Sequence, residues 1–179
     1  MKKLKIKVVN INVNEPRKLG WYKDWPGLLF LVMTMVGFGV SVYDFWKIQH
    51  FNFQLNIWVI ISILLLILGG SLRIICRKTL VKAGFAMSNS FKLQIAQHQR
   101  LITNGIYTHI RHPLYLGEIS RNLGTALLFS SLYGLIVMII ANIFLLIRIE
   151  IEERMLIGEF GQEYEAYKEK TKKLLPYIY

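Results

Sequence analysis

The charge of this chain gathers near its N-terminus, in its middle and near its C-terminus, and long apolar stretches without charge lie between. A helix of about 20 such residues crosses the ~30 Å hydrocarbon core of a bilayer. In lipid the backbone must satisfy its own hydrogen bonds, so these stretches are expected to be helical. The composition agrees. Hydrophobic residues make up 54% of the chain although 22 residues are Lys or Arg and 11 are Asp or Glu, a proportion high for a soluble domain. The expected fold is all-α: a polytopic integral membrane bundle of about four transmembrane helices, with cytoplasmic connecting segments and a C-terminal tail. The length suits one core, and no internal repeat is evident.

Three regions divide the sequence. Residues 1–25 form a basic arm containing Lys2, Lys3, Lys5, Lys7, Arg17, Lys18 and Lys23. Within it Lys5 to Val8 alternates weakly, as a short strand or surface arm does. Residues 26–94 carry two spans and their connector. The first span, Gly27 to Val42, has Trp21, Trp25 and Trp46 near its ends, where interfacial aromatics sit. No small-residue cleavage pattern follows it, so it reads as a retained anchor. The short connector Ile48 to Gln54 implies an antiparallel helix pair. The second span runs from about Leu55 to Ile75, stopped by Arg73, Arg77 and Lys78.

An amphiphilic stretch with no acid runs from Thr79 to Arg111 into the third region, residues 95–179, with a turn signal at Asn104-Gly105. Pro113 opens the third apolar helix, Leu114 to Phe129, which is shorter or partly re-entrant. A charge-free turn from Ser130 to Gly134 leads into the last apolar run, Leu135 to Ile147. Its helical pattern continues to about Glu159, and Gly161 ends it. A charged, Tyr-rich tail follows.

The basic residues set the orientation. The N-terminal arm, the middle stretch and the tail are rich in them, and the other two connectors are not. An even number of spans then places both termini in the cytoplasm. A net charge of +11 reflects these flanks, which meet anionic lipid headgroups. Base-stacking platforms and compact basic modules are missing, so nucleic acid is not an expected partner. Cys76 is the only cysteine, which excludes an intramolecular disulfide and a multi-cysteine metal site. It reads as a small packed residue, with acylation as the alternative.

Three polar groups do not belong in lipid. Gly105 to Gly117 packs Gly, Tyr, His and Arg at the mouth of a span, where a helix start offers unpaired N–H groups and a positive dipole end. An interfacial aromatic belt with basic anchors accounts for it equally well. Glu118, Arg121 and Asn122 interrupt the third helix. Ionisable groups there face a bundle interior or a wet cavity, or form a structural pair at i, i+3. Arg148, Glu152 and Glu153 extend the last helix; Arg148 and Glu152 share a face, and Glu153 lies about 100° round from Glu152. A snorkelling Arg with surface acids is the plainer reading.

Taken in order, these groups resemble the isoprenylcysteine carboxyl methyltransferase and phospholipid methyltransferase superfamily. The match runs through Leu101-Ile102-Thr103-Asn104-Gly105-Ile106-Tyr107 and Arg111-His112-Pro113-Leu114-Tyr115-Leu116-Gly117. It continues through Arg148-Ile149-Glu150-Ile151-Glu152-Glu153-Arg154-Met155-Leu156, then Phe160-Gly161-Gln162-Glu163-Tyr164, Tyr167 and Leu175-Pro176. The resemblance implies that residues 95–179 are a catalytic region using S-adenosylmethionine and no metal. By the same resemblance the cofactor contacts are Gln99, Arg100, Leu101, Ile102, Tyr107, His112, Pro113, Leu114, Tyr115 and Glu152. Arg148 is implied at the methyl acceptor, and Arg148, Glu152 and Glu153 make up the catalytic group.

Chemistry is consistent with that assignment. Methyl transfer from a sulfonium is an in-line displacement, so alignment in a dry pocket carries much of the rate. A carboxylate acceptor needs orientation, which an Arg supplies through paired hydrogen bonds. An amine or thiol must also lose a proton, for which Glu153 or His112 are candidates. The expected partners are a lipid-like or prenylated acceptor and membrane lipids: an isoprenylcysteine-like carboxylate, a phospholipid headgroup or a small amphiphile. Two other classes stay open, an NADPH-dependent membrane sterol-type reductase and a non-catalytic membrane interaction protein.

Overall fold

The computed structural model describes residues 24–47, 55–82 and 101–175. Most of the N-terminal arm, the 48–54 connector, Gln99, Arg100 and Pro176 lie outside the described residues. Among the described residues there are five α-helices, α1 (Trp25–Lys47), α2 (Ile57–Lys82), α3 (Pro113–Leu128), α4 (Leu132–Phe160) and α5 (Gln162–Lys170), with a 3-10 turn at Gly105–Thr108 before α3. The only β pairing among the described residues is one parallel bridge between Ile110 and Lys172. The protein is an integral membrane helical bundle in which α1, α2 and α4 are each long and apolar enough to cross a bilayer.

Local sequence sets the helix ends. Pro113 stands in the first turn of α3, where its missing N–H costs nothing. Ser131 caps α4, its Oγ accepting from the Gly134 N–H at 2.8 Å. Gly161 turns the chain out of α4 at a φ of 53°, a conformation other residues reach only with strain. The second span is longer as a helix than the sequence implies: α2 continues through Arg73, Arg77 and Lys78 to Lys82. Charge ends the lipid-compatible stretch, but Lys and Arg are good helix formers, so the helix itself runs on.

Packing follows small and polar residues rather than chain order. The extensive interfaces are α1 on α4 and α2 on α3, with α3 also against α4. The short connector between the first two spans thus does not make them the main packing pair. Gly69 and Gly117 bring α2 and α3 together so closely that a Cβ on Gly69 would lie 2.6 Å from the Gly117 carbonyl oxygen. Small residues let backbones approach in this way where lipid offers no hydrophobic drive. Leu31, Met35, Leu64, Ile67, Ile139 and Ile143 are exposed on α1, α2 and α4, as side chains facing acyl tails are.

Helix α3 is the inner element. Ser120, Asn122 and Ala126 are buried, and the Asn122 amide donates to Thr34 Oγ1 at 3.2 Å and Asn142 Oδ1 at 3.1 Å. Three helices are thereby tied at one level. Glu118 accepts from Arg73 of α2 at 3.0 Å and also pairs with Arg121. Glu118 is buried in the bundle and forms an ion pair there, so the two readings the sequence allowed coincide. Cys76 is fully buried. At the far end of the bundle, Ser131 donates to the buried Asp44 carboxylate at 2.5 Å, which joins the start of α4 to the end of α1.

Candidate active site

The first turn of α1, the 3-10 turn, the start of α3 and the C-terminal third of α4 meet at one end of the bundle. Gly105, with a φ of 63°, starts the turn that carries the chain into Arg111 and His112. The chain after α5 then lies along this entry. Arg111 N–H donates to Lys172 O at 2.8 Å, His112 N–H to Lys173 O at 3.0 Å, and Lys172 N–H to His109 O at 3.1 Å. The tail therefore folds back as a strap across the start of α3.

Glu153 is the fastening of that strap. Its Oε1 accepts from Arg111 Nε at 2.8 Å and stands 3.3 Å from His112 Nε2. Its Oε2 lies 3.7 Å from Lys168 Nζ and 4.0 Å from Lys173 Nζ. Arg111 also donates to the carbonyls of Lys168 and Thr171, placing a cation where the α5 dipole is negative. Tyr167 adds a bond of 2.6 Å from its hydroxyl to the Tyr107 carbonyl. Burial pushes the Tyr167 hydroxyl up to about 12, and burial raises Tyr107 and Tyr164 further still.

Glu152, one residue earlier, faces another way. It accepts from the Tyr115 hydroxyl at 2.6 Å through Oε2. The same oxygen is 4.0 Å from His112 Nδ1. Its Oε1 has no hydrogen-bond partner among the described residues, and its side chain keeps 29% of its exposure, against 5% for Glu153. His112 stacks on Tyr115, with ring centroids 5.6 Å apart at 28°. Arg148 lies over the other side of this group, its Cζ 5.7 Å from the Tyr115 ring centroid. It forms two parallel bonds to Asp24, Nε to Oδ1 at 2.8 Å and Nη2 to Oδ2 at 2.9 Å.

The residues singled out in sequence are thus distributed as follows. His112, Tyr115, Arg148, Glu152 and Glu153 share one cluster. Pro113 and Leu114 open α3 beside it. Leu101, Ile102 and Tyr107 are half-buried, and the Tyr107 carbonyl accepts from Tyr167 of α5. Glu118 and Arg121 pair with one another and with Arg73. Asp24, Lys168, Thr171 and Lys173 are members that sequence reasoning missed. Asp24 had one signal, an acid set between Lys23 and the first span in a mostly basic arm.

The donor set fits a polar, partly aromatic small molecule. Glu152 offers an oxygen for hydroxyl or ammonium donors, and the His112–Tyr115 pair offers ring faces. The Tyr164 hydroxyl is buried without a partner among the described residues, an arrangement that calls for a bound group or a water. Among the described residues no group of His, Cys, Asp and Glu is arranged to hold a metal ion.

Comparison with known proteins points the same way. The family model described as phospholipid methyltransferase matches residues 57–163. The protein-S-isoprenylcysteine O-methyltransferase of Saccharomyces cerevisiae is 33% identical over 133 residues, 74% of this chain and 54% of that protein. Its Schizosaccharomyces pombe counterpart is 31% identical over 128 residues, 71% of this chain and 53% of that one. The solved structure of the eukaryotic intramembrane Ras methyltransferase, isoprenylcysteine carboxyl methyltransferase, superposes with a TM-score of 0.57 at 27% identity. That match covers 84% of this chain and 52% of that chain. The chain spans about half the length of the curated relatives it matches.

Proposed function

The chain belongs to the phospholipid methyltransferase family, and from that premise we propose that it transfers a methyl group from S-adenosylmethionine to a lipophilic acceptor. The observation that carries this reading is the convergence of Glu152, Tyr115, His112 and Arg148 at one end of the bundle. Family membership favours methyl transfer over the hydride transfer of a sterol-type reductase. It also favours an enzyme over a membrane protein that only binds partners.

S-adenosylmethionine supplies an electrophilic methyl on a sulfonium. Everything else in this reading falls to the chain. Glu152 receives hydroxyl or ammonium donors on its open oxygen while Tyr115 holds the other. His112 offers an imidazole edge and face. Leu101, Ile102, Tyr107, Pro113 and Leu114 close the apolar side of the cofactor site; Gln99 and Arg100, outside the described residues, are further contacts that the family resemblance implies. Arg148 orients the acceptor, since a guanidinium presents its donors in a fork matched to a carboxylate. Glu153, held by Arg111 and beside His112, serves as a positioning residue; were the acceptor an amine, it or His112 would also take the proton.

The relatives' names indicate an isoprenylcysteine-like carboxylate as the first acceptor to test, followed by a phospholipid headgroup and small amphiphiles. The basic flanks favour a topology with both termini in the cytoplasm, which lets a polar donor arrive from water and a lipid-like acceptor from the bilayer. Binding of tritiated S-adenosylmethionine to the detergent-purified chain tests the reading directly. Saturable binding that Glu152→Gln weakens about 100-fold is expected. No binding by a folded wild-type protein would overturn it.

A further inference from the structure

The acceptor residue proposed above is not presented to an open cleft. Arg148 is buried, with 7% of its side chain exposed, and two of its five N–H donors are committed to Asp24 in the planar geometry a carboxylate ligand would adopt. The contact is built into the fold. Pro26 and Gly27 follow Asp24 in the opening turn of α1, and Pro26 is fully buried. A Cβ on Gly27 would lie 2.6 Å from Asp24 Oδ1 and 2.7 Å from Arg148 Nε. Only a residue without a side chain lets the ion pair lie across the helix at this point.

The two partners are not equally buried. Arg148 sits on α4 with Tyr115 beneath it and keeps 7% of its side-chain exposure, whereas Asp24, just before α1, keeps 21%. The carboxylate that reaches water and is borne at a helix end is the member placed to give way. We propose that Asp24 occupies the acceptor's seat on Arg148, and that a carboxylate acceptor binds by replacing it. This rests on the methyltransferase reading and adds a specificity-determining residue to it. Asp24 sets a threshold that an acceptor passes only by offering Arg148 an equivalent carboxylate. It also supplies a counter-charge to the buried guanidinium when no acceptor is present.

A competitor inside the chain raises the apparent Kd for an outside carboxylate by the inverse of the fraction of time the seat is open, about tenfold if that fraction is a tenth. The test compares binding of a fluorescent S-farnesyl cysteine carboxylate and its carboxamide to wild type, Asp24→Asn and Asp24→Ala in nanodiscs without methyl donor. The expected result is carboxylate affinity about tenfold tighter in both variants, with carboxamide affinity unchanged, so that the preference for carboxylate grows. Weaker or equal carboxylate binding by folded variants would overturn the inference, since Asp24 would then hold Arg148 in position for the acceptor. If Asp24→Asn unfolds, Asp24→Ala decides. Because the readout needs no methyl donor, it is separate from the S-adenosylmethionine binding test, and either result can fail alone.

Discussion

At Glu153 one carboxylate gathers Arg111, His112, Lys168 and Lys173 from three parts of the chain, while Glu152 beside it holds a single hydroxyl donor. The two acids therefore should fail differently. Glu153→Gln removes the charge that compensates a buried Arg111, and breaking a buried pair costs about 3 kcal/mol. The expected outcome is a large fall in the thermal midpoint of the detergent-solubilised protein, with activity lost in parallel. Glu152→Gln should leave that midpoint nearly unchanged. It should weaken S-adenosylmethionine binding about 100-fold, the effect of losing two charge-assisted hydrogen bonds of about 1.5 kcal/mol each. Isothermal titration alongside melting curves separates the two. The sequence told both acids apart from ordinary surface charge only through their place in an ordered motif. It did not tell which would be saturated, because three of the cations around Glu153 (Arg111, Lys168 and Lys173) come from segments the helical pattern does not connect to it.

Among the elements, the spans were the most legible. Uncharged runs, Pro113, the Ser131 turn and Gly161 mark helix ends in the sequence, and each stands where a physical reason puts it. The pairing of α1 with α4 was not legible, since short connectors imply neighbours while Gly37, Ser41 and Gly134 decide the contact. Nor was the strap. Its residues are charged and carry no periodic apolar face, and its attachment is through backbone bonds to His109, Arg111 and His112, which no residue type announces. Two measurements probe these elements. Gly69→Leu forces α2 and α3 apart at their closest point and is expected to cost about 2–3 kcal/mol by overpacking, read as a lower thermal midpoint. The strap should also be alkali-sensitive. Tyr167 has its pKa raised to about 12 by burial, against about 10 in an unfolded chain. The folded state thus holds the phenolic proton more tightly, so this contribution to stability is whole below pH ~10 and is lost as pH climbs from ~10 to ~12. Limited proteolysis after α4 is expected to accelerate over that window, with Tyr167→Phe abolishing the Tyr167 component.

For the molecule as a whole, helix lengths place the site relative to the bilayer. At 1.5 Å per residue, the 29 residues of α4 extend about 43 Å and the 16 of α3 about 24 Å, against a hydrocarbon core near 30 Å. Helix α4 is longer than that core and α3 shorter, and the start of α3 meets α4 at the level of Glu152. If the basic flanks set the topology, glycosylation sites placed at either terminus should stay unmodified, and one placed in the Ser130–Gly134 turn should be modified. The α1–α4 pairing has a further consequence, one of timing. The first span is made early, but the helix that receives it, and that carries Arg148 for Asp24, is the last of the long ones to be synthesised. At about 5–20 residues per second, α1 waits in the bilayer for seconds without its partner. The strap follows later still, so every newly made copy passes through an interval in which α1, α2 and α4 have been made and Glu153 still lacks its Lys168 and Lys173 partners.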